Sequence, residues 1–138
     1  MFTLRVLITL IVLSICAVSD IRTREINVLV LLAGIIILIC FGEGLRLAGV
    51  VPGIIFLLVS KLRIGIGEGD AYILIFLGLI SGLNTTFNTV TVSFMAAAVY
   101  ALILKLYRRA EENYSFPFAP FILLGFTILI VISKGVMI

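Results

Sequence analysis

Residues 63–83 read RIGIGEGDAYILIFLGLISGL. Three charges (Arg63, Glu68, Asp70) and three glycines (Gly65, Gly67, Gly69) crowd the first eight positions, and no charge follows between Ala71 and Leu83. A glycine at every second position weakens any regular element ahead of Asp70. The run behind it lacks the polar alternation of a half-buried strand. The stretch therefore reads as a helix entering an apolar medium with an aspartate at its mouth. An ionisable group at that depth is costly, so a compensating role is expected for it.

Working outward, the rest of the chain has the same character. Of 138 residues, 63% are hydrophobic and only 12% are charged, against about 25% charged in an average soluble domain. A water-soluble fold of this size cannot hide that much apolar surface, so the chain reads as an integral membrane protein with the lipid bilayer as its solvent. The net charge of +3 forms no basic run, which argues against nucleic acid as a partner. Histidine is absent. That removes Ser/His and Cys/His nucleophile pairs and any histidine-held metal, and no metal or other cofactor is expected. Cys16 and Cys40 both lie in apolar runs and read as buried thiols packed as small hydrophobes.

Charges and turn residues divide the chain into six apolar runs, near 2–18, 28–41, 47–59, 71–83, 90–104 and 118–132. The fold class expected is all-α, a polytopic bundle of six transmembrane helices forming a single domain over residues 1–138. Arg22, Arg24, Lys61, Arg63, Lys105, Arg108 and Arg109 fall in the odd-numbered loops, whereas only Arg5, Arg46 and Lys134 fall at the other end. The positive-inside rule then puts the odd loops in the cytoplasm. Gly49–Gly53 and Gly78–Gly82 are G-x-x-x-G spacings. These suit close helix packing within one bundle or between the protomers of a homo-oligomer.

Asp20 and Asp70 are the only aspartates. Asp20 sits where the first helix enters the first loop and Asp70 where the third loop enters the fourth helix, so both belong to the cytoplasmic face. The bland reading is a pair of solvated helix caps, and spacing alone leaves open whether the two meet. If they do, two carboxylates in a poorly solvated site cannot both ionise cheaply. One keeps its proton and polarises a carbonyl, while the other takes a proton from an attacking water. Gly67 and Gly69 then become an active-site loop that turns sharply and admits a substrate backbone. A second reading, from another functional class, makes the two aspartates a proton relay in a small carrier or channel.

Gly67-Glu68-Gly69-Asp70 is a G-x-G-D sequence, and Asp20 opens Asp20-Ile21-Arg22-Thr23-Arg24-Glu25-Ile26-Asn27. Phe116-Pro117-Phe118-Ala119-Pro120-Phe121 opens the last run. In this order the three segments resemble the prepilin peptidase family of G-x-G-D intramembrane aspartyl proteases, in a short form without the methyltransferase domain. Asn27 stands where that family's pattern has proline, and Val28 where it has asparagine. The resemblance implies Asp20 and Asp70 as the catalytic pair. It also implies a prepilin-like substrate whose short basic leader is cut at the cytoplasmic face of the cell membrane. Glu25, Glu68, Glu111 and Glu112 are acids placed to attract such a leader, although each reads first as an ordinary solvated charge.

Overall fold

The computed structural model describes residues 2–42, 44–62, 67–107 and 117–136. Arg63, Gly65, Arg108, Arg109, Glu111, Glu112 and Phe116, used above, lie outside the described residues.

Among the described residues the chain is all-helical. Six α-helices follow one another: α1 (Phe2–Thr23), α2 (Val28–Cys40), α3 (Val51–Lys61), α4 (Glu68–Ser81), α5 (Leu83–Tyr107) and α6 (Ala119–Val136). A 3-10 turn, Leu47–Val50, leads into α3, and Pro52 sits in the first turn of that helix, where its missing N–H costs nothing. The expected number of helices is found, with shifted ends. α1 continues past Val18 to Thr23, so Asp20 lies in its last turns rather than in a loop. α5 begins at Leu83, seven residues before the apolar run. Its polar opening stays helical because the hydroxyls of Thr86 and Thr89 donate to the carbonyls of Gly82 and Thr85, one turn back. That satisfies them without water.

Leu4–Thr23 and Leu83–Tyr107 are long and apolar enough to cross a membrane. Val28–Cys40, Leu47–Lys61 and Ala119–Ser133 are apolar but shorter. Thirteen helical residues cover about 20 Å, against a hydrocarbon core of about 30 Å.

α4 is the central element. Ala71, Ile73, Leu74, Phe76, Leu77, Gly78 and Ile80 are all buried, and a helix apolar on every side belongs inside. It packs on α3, on the 3-10 turn, and on α1, α2 and α5, while α6 closes the bundle against α1 and α5. Close approach is made by glycine. Gly49 and Gly78 meet backbone to backbone, and a Cβ at Gly53 would fall 2.6 Å from the Ile75 amide nitrogen. Both G-x-x-x-G spacings therefore serve packing within the chain. On the outside the order is reversed. Leu7, Ile11, Ile36, Leu58, Met95, Leu102 and Val131 are exposed, an apolar surface of the kind that water-soluble monomers avoid.

One expectation fails on burial. Cys16 is buried as expected, but Cys40 is exposed. It is the last residue of α2 and lies on the outward side of that helix, so an apolar setting in sequence is not burial in the fold.

Candidate active site

The up-and-down course of the helices gathers the end of α1 and the starts of α2, α4 and α6 at one end of the bundle. The link from α1 to α2 is only four residues long, and it is tied down by local bonds. Arg24 takes a left-handed conformation (φ 54°), and its N–H donates to the Asp20 carbonyl at 3.1 Å. This is the helix-ending geometry that glycine or asparagine usually supplies. The Ser19 hydroxyl donates to the Glu25 carbonyl at 2.8 Å. Asn27 is then the N-cap of α2, its side-chain oxygen accepting from the Leu29 N–H at 3.0 Å. That bond accounts for Asn27 without a catalytic role.

Asp20 is 7% exposed, and its Oδ2 accepts a hydrogen bond from the Ala119 N–H, at the first residue of α6, at 3.1 Å. Asp70 is half-buried in the first turn of α4. Both line a single open cleft of about 410 Å³, together with Arg24, Glu25, Ile26, Gly67, Glu68, Gly69 and Tyr72. The fold thus brings together all four residues singled out by sequence: Asp20, Asp70, Gly67 and Gly69.

The two glycines have different surroundings. Gly67 is the N-cap residue of α4 with φ −71° and ψ 139°, a conformation open to any residue. A Cβ there would meet only Asp70 Oδ2, at 3.5 Å. Gly69 is packed. A Cβ there would lie 2.7 Å from Ile26 Cδ1 and 3.1 Å from Ile26 Cβ. Gly69 therefore lets the start of α4 seat against the α1–α2 link, which joins the sequence around Asp20 to the sequence around Asp70.

Sequence reading missed three partners. The Ala119 amide is a backbone group 99 residues from Asp20, and no residue type announces it. Arg24 was accounted for as a topology signal, but it also lines the cleft. Ile26 was visible only as a motif position, whereas in the fold it is the wall against which Gly69 rests.

Searches of curated proteins and of solved structures each return no match. The profile of the type IV leader peptidase family matches residues 7–102, a span that holds both aspartates. That span is more than half of the chain: the protein belongs to the type IV leader peptidase family, a membrane-associated family of proteases.

Proposed function

We propose that the protein is an intramembrane aspartyl endopeptidase. In this reading residues 1–138 form one catalytic domain whose six helices cross the cell membrane, with the cleft at the cytoplasmic face. The substrate is a prepilin-like precursor, such as a type IV pilin, tight-adherence pilin or archaellin. The enzyme removes its short basic leader. The observation that carries the reading is the shared cleft. The only two aspartates of the chain line one opening at one end of the bundle, within a member of a leader peptidase family.

The chemistry follows from the pair. One aspartate is ionised and takes a proton from a water held between the two. The water oxygen bonds to the scissile carbonyl carbon, while the protonated aspartate hydrogen-bonds the carbonyl oxygen. The tetrahedral intermediate collapses by breaking the C–N bond, and the leaving amine takes up a proton from the pair. The proton shared by the two carboxyls belongs to the pair as a unit. The rim favours a basic leader, because Glu25 and Glu68 outnumber Arg24 beside the aspartates. Position supports a peptidase over a proton relay as well. Both carboxylates stand at one end of the bundle rather than along a path through it, where a relay needs them.

The test is cleavage of a purified prepilin in liposomes, read by mass spectrometry of the mature N-terminus. The wild type is expected to release the leader, and Asp20→Asn or Asp70→Asn to abolish release while keeping a wild-type thermal melt. An inert wild type, or full cleavage by either variant, contradicts the proposal.

A further inference from the structure

The two aspartates are not held alike. Asp20 is buried and tethered, with one carboxylate oxygen bound by the Ala119 N–H. Asp70 is half-buried, and among the described residues no hydrogen bond reaches its carboxyl.

The tether arises from how α6 begins. The first N–H groups of a helix have no partner within the helix. Here Pro120 has no N–H, and the N–H groups of Phe121 and Ile122 both donate to the Phe118 carbonyl, at 2.9 and 3.2 Å. Ala119 is left as the donor of the opening turn, and its partner is Asp20 Oδ2. An amide N–H offers only a donor, and its pairing with a carboxylate at a helix N-terminus is charge-assisted. The turn itself is clamped. The Phe118 ring lies 5.1 Å from Phe94 on α5, and Phe94 lies 5.6 Å from Phe56 on α3. Ala119 and Ile122 are fully buried. The donor is therefore fixed by three helices and does not wander.

We infer that Asp20 is the water-activating member of the pair and Asp70 the carbonyl-polarising member, with the Ala119 amide as the positioning group that sets this division. Hydrogen bonding of Oδ2 to Ala119 leaves the other oxygen of Asp20 for the water, in one orientation. Asp70, on which no hydrogen bond among the described residues falls, presents its carboxyl to the substrate carbonyl. The start of α6 thereby becomes part of the catalytic apparatus, although it lies outside the span matched by the family profile. This inference rests on the endopeptidase reading above.

Ala119→Pro removes the donor at a first helical position that tolerates proline. It is expected to lower kcat about tenfold or more with KM unchanged. Phe126→Ala, which opens the packing of the same helix beyond its first turn but keeps the donor, is expected to lower the thermal midpoint and retain kcat. A second measurement does not depend on the proline variant folding. In protein labelled with 15N-alanine, the Ala119 amide proton, assigned by its loss in Ala119→Gly, is expected to move upfield on Asp20→Asn. A wild-type kcat in folded Ala119→Pro, or an Ala119 resonance unmoved by Asp20→Asn, overturns the inference. Both outcomes leave the endopeptidase reading intact as long as Asp20→Asn is inactive. Cleavage by Asp20→Asn would instead remove that reading itself.

Discussion

At the scale of single residues, the two glycines of the G-x-G-D sequence separate into different physical jobs. Gly69 is small because Ile26 occupies the space a Cβ would need. Gly69→Ala is therefore expected to destabilise the fold by about 1–3 kcal/mol, the usual cost of overpacking, and Ile26→Ala in the same chain is expected to recover part of the loss. Gly67 meets no such wall and has an ordinary backbone conformation. Gly67→Ala is expected to cost less, at most about 1 kcal/mol for alanine in place of glycine at an N-cap, and yet to slow cleavage, because its methyl group stands beside the Asp70 carboxyl. Thermal melts and cleavage rates on the two variants check both statements. Equal destabilisation by the two substitutions would contradict them. The aspartates were legible in the sequence because the chain has only two and charge patterning puts them at one face. The reason for Gly69 was not, because it depends on which isoleucine comes to rest against it.

At the scale of elements, the α1–α2 link shows how a site segment is held without its side chains acting chemically. The left-handed Arg24, the Ser19 hydroxyl on the Glu25 carbonyl and the Asn27 cap fix four residues between two helices. Asn27→Ala is expected to cost about 1 kcal/mol of stability, while Asn27→Asp or Asn27→Ser retains most of it. A denaturation series on the three variants reads this directly, and an unchanged stability in Asn27→Ala would mean that the cap contributes nothing. Helix number and order were readable from the apolar runs; the G-x-x-x-G spacings signalled close packing, but not that it would be between the 3-10 turn and α4. Helix ends were less readable. The polar start of α5 looks like a loop until each threonine is seen to bond the carbonyl a turn behind it. The role of α6 was least readable, because its opening turn acts through a backbone amide.

At the scale of the whole molecule, the bundle has two chemically different ends. One carries the aspartate cleft. At the other, Arg5 and Arg46 donate to the carbonyls of Ile80 and Ser81 at the end of α4. The proposed orientation puts the cleft end in the cytoplasm. In a Cys16→Ala/Cys40→Ser background, a cysteine replacing Lys61 is expected to react with a membrane-impermeant thiol reagent only from the cytoplasmic side. Reaction from outside alone would invert the topology. The central claim is that Asp20 and Asp70 act as one catalytic unit, and single-turnover cleavage of a prepilin by Asp20→Asn, Asp70→Asn and the double variant tests it most directly. Residues that act as a unit are non-additive, so each single variant is expected to lose about a thousandfold or more of the rate, with the double variant no slower than the worse single. Near-wild-type cleavage by either single variant, or losses that multiply in the double, would contradict a shared dyad.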